Sequence, residues 1–142
     1  MSLNVLVVDP DKDRVDLLRK QISTQEALKK FNFNFCCNGD EVFNDIFESR
    51  CDFLIIDSST RHKIHKDLYS PERHMSIGVK TIVEVALEND NGLSIAICST
   101  TKPNKEEKKF SEQVFFTEEK ASCHTVANLL QIALARNITS KV

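Results

Sequence analysis

Cys51-Asp52-Phe53-Leu54-Ile55-Ile56-Asp57 is the stretch on which the fold turns. Phe53 to Ile56 is an unbroken apolar run, too short for a helix and lacking polar alternation. A strand covered on both faces has that form, and here an acid ends it. Val5-Leu6-Val7-Val8-Asp9 repeats the form upstream, and Leu93 to Cys98, followed by Ser99-Thr100, repeats it downstream. Val114-Phe115-Phe116 gives a fifth strand before Thr117-Glu118. Phe31-Asn32-Phe33-Asn34-Phe35 instead alternates strictly, which predicts a half-exposed strand near a sheet edge.

Helix-period segments separate these runs. Val15, Leu18 and Ile22 recur three and four residues apart after Asp9-Pro10-Asp11. Val42, Phe43, Ile46 and Phe47 share a second face, and Val79, Ile82, Val83 and Ala86 a third. Lys102 to Lys109 is almost wholly polar, so a helix there is short and marginal. Val126, Leu129, Leu130 and Ala133 give a last helix, with Ser122 placed to cap it. Strand and helix alternate five times. The fold class this predicts is α/β: a (βα)5 arrangement with a parallel sheet, right-handed crossovers and helices on both faces.

Composition agrees with one domain over residues 1–142. Hydrophobic residues are 41% and charged residues 28%, which excludes a disordered chain, and no apolar run approaches the length of a membrane span. Lys plus Arg is 19 and Asp plus Glu is 21, so the net charge of −2 supplies no field drawing the chain to nucleic acid or an anionic bilayer. The N-terminal residues show no leader pattern. The cysteines (Cys36, Cys37, Cys51, Cys98 and Cys123) are odd in number and mostly sit in apolar runs. A reducing cytoplasm is the expected location.

Sites in open α/β sheets collect at the carboxyl ends of the strands. Asp9-Pro10-Asp11, Asp57, Ser99-Thr100 and Thr117-Glu118 are the polar groups found there. Acids and a hydroxyl converging on one edge suit a hard divalent cation beside an Asp nucleophile. The plainer reading is acids that open solvated loops or cap helices.

From Asn4 to Asn137 the sequence resembles the CheY-like receiver domains of two-component response regulators. Val5 to Asp9 is similar to the family's first strand with its first acid. Cys51 to Asp57 is similar to the third strand with the phospho-accepting aspartate. Gly78 matches the glycine after that aspartate's loop, and Ile95 to Thr100 resembles the fourth strand. The resemblance implies a flavodoxin-like sheet in the order 2-1-3-4-5. It also implies Asp57 as phospho-acceptor, Ser99 as a phosphoryl contact, and Asp9, Asp57 and Asp11 around Mg²⁺.

The departures are specific. Pro10 stands where the family has a second metal-binding acid, which weakens or removes the Mg²⁺ site. Thr117 aligns with the family's lysine, followed by Glu118, Glu119 and only then Lys120, leaving the acceptor without its cation. Val114 aligns with its aromatic switch position. The expectation is a degenerate, stand-alone receiver acting mainly through protein–protein contacts. A histidine kinase or other signalling protein is its expected partner, and a homodimer is left open.

The stretch 58–76 is long for a connection. Arg61, His62, Lys63, His65, Lys66, Arg73 and His74 make it an exposed loop, an anion- or partner-binding flap, or a transition-metal site on His62, His65 and His74. The short span from Ser99 to Thr117 predicts a reduced fourth helix and an altered dimerisation face. Two other functions compete. One is a phosphorylation-independent adaptor on the same fold. The other is a haloacid-dehalogenase-type phosphatase opening at Asp9-Pro10-Asp11, against which stands Asp57 preceding Ser99. With only three glycines and no phosphate loop after the first strand, a flavodoxin-like cofactor binder is disfavoured, and no enzyme activity beyond self-phosphorylation is expected.

Overall fold

The computed structural model describes residues 3–37, 51–59, 83–84, 94–99 and 114–140. Within them the chain forms β1 (Asn4–Val8), α1 (Lys12–Ser23), a 3₁₀ turn (Glu26–Leu28), β2 (Asn32–Cys36), β3 (Phe53–Asp57), β4 (Ser94–Cys98), β5 (Val114–Thr117) and α2 (Cys123–Ser140). The strands make one sheet in the order β2-β1-β3-β4-β5, all pairs parallel. This is the flavodoxin-like order that the resemblance to receiver domains implies. The segments 38–50 and 100–113, the loop from 60 and the third helix apart from residues 83–84 lie outside the described residues.

The three continuous apolar runs are the buried strands. Every residue of β3 is buried, and β1 and β4 are buried except at Asn4 and Ser94. The period-2 geometry of a strand divides their side chains between two cores. Leu6, Val8, Leu54, Ile56, Ile95 and Ile97 pack on one face, with Val83 and Val114. Val5, Val7, Phe53, Ile55, Ala96 and Cys98 pack on the other, under Leu18 and Ile22 of α1 and Val126, Leu129 and Leu130 of α2. β2 is an edge strand displaced by one residue from the alternating motif, with Phe31 just before it. Its exposed Asn32 and Asn34 alternate with half-buried Phe33 and Phe35. The two rings stack at 6.1 Å, and the Arg19 guanidinium lies 5.2 Å over Phe35.

Backbone pairing runs past the strand ends. Asp9 N–H donates to the Cys36 carbonyl (3.1 Å), Ser58 N–H to Cys98 (2.9 Å) and Ser99 N–H to Thr117 (3.2 Å). Ser58, expected in an exposed insert, is therefore buried and bonded. Residues 60–76 of that insert, including His62, His65 and His74, lie outside the described residues.

Candidate functional site

Asp9 and Asp57 end adjacent strands, in the register that pairs Val8 with Ile56, and both are buried with 1% exposure. Burying two carboxylates side by side is costly unless each is paired and hydrogen-bonded. The surrounding chain supplies those partners.

Around Asp9 the partners come from the turn into α1. Its Oδ1 accepts the Asp11 N–H (2.9 Å), an Asx turn across Pro10, which has no N–H of its own to satisfy. Asp11 is the N-cap of α1, accepting the Arg14 N–H at 3.1 Å. Helical side chains tilt toward the helix N-terminus, so Arg14, in the first turn, reaches back over the strand ends. Its Nη1 donates to Asp9 Oδ2 (2.8 Å) and Oδ1 (3.1 Å) and lies 4.0 Å from Asp57 Oδ1. Its Nη2 is 3.4 Å from Asp11 Oδ2. Burial holds the Asp9 carboxyl above its ordinary range; the Arg14 hydrogen bond opposes that shift, and the Asp57 charge adds to it. The bond to Asp9 raises the Arg14 guanidinium in turn.

Asp57 is held by different groups. Its Oδ2 accepts the Ser59 N–H at 3.0 Å and the Ser59 hydroxyl. Its Oδ1 accepts from Lys120 Nζ at 2.8 Å. The expectation that no lysine serves the acceptor is thus corrected. Thr117 ends β5, and its hydroxyl donates to the Glu119 carbonyl (2.9 Å), curling the loop back over the sheet edge. Glu119 Oε2 accepts the Thr125 hydroxyl (3.0 Å), and Ser122 Oγ accepts the Thr125 N–H (3.2 Å), tying the loop to the first turn of α2. Ser122 is the expected cap. Three residues of turn place the lysine where residue-by-residue counting from the strand end does not.

Val114 opens β5 and belongs to the core. Ser99 is buried one step beyond Cys98, the β4 partner of Asp57. Burial pushes the Cys98 thiol up to about 12, so it behaves as a small apolar filler and not as a nucleophile.

Asp9, Asp57 and Ser99 are brought to one edge as expected. Asp11 is brought near, but as an exposed helix cap paired with Arg14. The donor set does not fit Mg²⁺ as it stands. Both Asp9 oxygens accept from Arg14, Pro10 offers no ligand, Asp11 is engaged, and Lys120 and Ser59 occupy Asp57. Among the described residues no cluster of three or more Asp, Glu, His or Cys side chains is arranged to hold a metal ion. Nor is any helix among them long and apolar enough to cross a membrane.

The strand order gives the chain a receiver-like fold. The chain is similar over nearly its whole length to solved receivers. A CheY-like response regulator receiver domain protein from Methanospirillum hungatei JF-1 superposes with a TM-score of 0.66 at 12% identity, covering 99% of each chain. A two-component response regulator from Clostridium difficile gives 0.66 at 13% identity, over 95% of this chain and 98% of that one. The isolated REC domain of RcsB from Salmonella enterica serovar Typhimurium, determined with phosphomimetic BeF₃⁻, gives 0.53 at 14% identity, over 84% and 80%. At such identities the likeness is one of fold. No protein-family model matches the chain, and no curated protein does.

Proposed function

We propose that this domain is a receiver-like signalling module in which Asp57 accepts a phosphoryl group from a histidine kinase or a small phosphodonor and passes the event on through protein contacts. One observation carries the reading: Asp57, buried at the end of the central strand, faces the ammonium of Lys120 at 2.8 Å. A carboxylate oxygen of Asp57 attacks phosphorus, the bond to the donor's leaving group breaks, and that group departs with the electron pair. Negative charge spreads over the phosphoryl oxygens as it moves, and a positioned cation is the main help a protein gives such a transfer. Lys120 is that cation, and Ser99 stands at the neighbouring strand end. The protein works as a signalling domain and not as an enzyme with turnover, in a reducing compartment suited to its thiols.

The test is intact-mass and peptide mapping after exposure to acetyl phosphate or phosphoramidate. The reading expects one phosphoryl group on Asp57 and none in Asp57→Asn. Labelling in Lys120→Met should be slower by about a hundredfold, the usual effect of removing one positioned charge partner. A native protein that stays unlabelled while keeping its signalling contacts supports the adaptor reading, which the engagement of every Asp9 and Asp57 oxygen also favours.

A further inference from the structure

The acid pair is charge-balanced from within. Two buried carboxylates, Asp9 and Asp57, meet two cations, Arg14 and Lys120, and each acid has a short contact to one of them: 2.8 Å from Arg14 to Asp9 and 2.8 Å from Lys120 to Asp57. Arg14 also spans the pair, because the same Nη1 that binds Asp9 lies 4.0 Å from Asp57 Oδ1. That is the place of a bridging cation. The guanidinium is anchored on a third side by Asp11, whose position is fixed by capping α1. A planar, permanently charged group with donors in a fixed fork suits this role, and it brings less hydration to shed than a small divalent ion.

A divalent metal would have to take the same oxygens. Mg²⁺ demands near-octahedral oxygen ligands and loses water reluctantly, so it needs free carboxylate lone pairs. Here Asp9 Oδ1 already accepts from both Arg14 and the Asp11 N–H, and Oδ2 accepts from Arg14. An entering ion must therefore displace the guanidinium, with Lys120 close to the second acid. We propose that Arg14 is a resident cation that stands in for a divalent metal at the Asp9–Asp57 pair, closing the pair to such ions. The inference concerns the same edge as the proposed function but does not depend on Asp57 accepting a phosphoryl group.

Manganese(II) ion alone is the probe, added to the full chain. Binding is counted from free Mn²⁺ by electron paramagnetic resonance, and the site is located by paramagnetic broadening of the Asp9, Ser58 and Ser59 amides. The native protein should show no saturable site up to millimolar Mn²⁺. Arg14→Met frees Asp9 Oδ2 and leaves Oδ1 with the Asp11 N–H alone, and should bind one Mn²⁺ at least tenfold more tightly than native, a gain lost again in Arg14→Met combined with Asp9→Asn. Arg14→Gln serves as a second variant should the Met form melt early. Saturable Mn²⁺ binding by the native protein with broadening at those amides overturns the inference, whatever the variants do. So does a folded variant with no gain in affinity. Because phosphodonor labelling plays no part, either proposal can fail while the other stands.

Discussion

Lys120→Met is the perturbation that best isolates the pairing at the centre of the site. The substitution keeps most of the aliphatic stem and removes the ammonium 2.8 Å from a fully buried carboxylate oxygen. Coulomb's law at that separation gives about 6 kcal/mol for an effective dielectric of about 20. The lysine side chain is 33% exposed, so water screens the pair and the net value falls to about 2 kcal/mol. That lies within the ~1.5–3 kcal/mol usual for a hydrogen bond to a charged group. The stranded partner matters as well: without Lys120, Asp57 keeps Ser59 and the more distant Arg14. Asp57→Asn strands a lysine that water can reach, so it should cost less. The assay is a double-mutant cycle on denaturant unfolding at pH 7, comparing native, Lys120→Met, Asp57→Asn and the pair. The expected coupling is about 2 kcal/mol, and the single lysine variant should melt about 8 °C lower. A coupling below about 0.5 kcal/mol, or an Asn variant less stable than the Met variant, would refute the reasoning.

Other outcomes follow from the same geometry. The Asp9 carboxyl is raised above 3.8 by burial, so the native state holds this proton more tightly than the unfolded chain. Its contribution to stability is therefore lost as pH rises from about 3.8 through the folded value. Asp9→Asn should gain on the native protein over that rise, read as melting temperatures from pH 4 to 7; a gap independent of pH would contradict this. Ile55→Ala, at a site with no exposure, should cost about 3–4 kcal/mol in urea unfolding, against less than about 0.5 kcal/mol for Ile132→Ala at 45% exposure. Ser122→Ala removes the acceptor for the Thr125 N–H and should cost about 1 kcal/mol. It should also shift the Lys120 side-chain resonances, since the cap ties down the loop that carries this residue; unchanged Lys120 signals would show the loop to be held otherwise.

The sheet was legible because burial on both faces leaves a direct mark, the unbroken apolar run of β1, β3 and β4. The strand-end acids were legible for a related reason: Asp9 and Asp57 each close such a run, and parallel strands bring their carboxyl ends to one edge. The cations were not. Arg14 sits in a helix whose apolar face is Val15, Leu18 and Ile22, and there it looks like one more surface charge. Only the backward tilt of helical side chains, added to the Asp11 cap, would have aimed it at Asp9. Lys120 falls three residues out of place when counted straight from the end of β5, because the count ignores the turn that Thr117 and Glu119 make. The one-residue shift of β2 has a similar origin: an alternating motif gives the face of each residue but not where pairing begins, which β1 sets by matching Asn4 with Asn32.

The pairing that continues beyond the strands has a kinetic consequence. The amides of Asp9, Ser58 and Ser99 lie just past the ends of β1, β3 and β4, yet each is bonded to the carbonyl of a residue in an adjacent strand. Their exchange with solvent deuterium should therefore track the slowest cooperative opening of the sheet and not local fraying. Residues that would carry the chemistry thus share the lifetime of the core. Among the described residues, the backbone at these strand ends persists as long as the sheet stays folded.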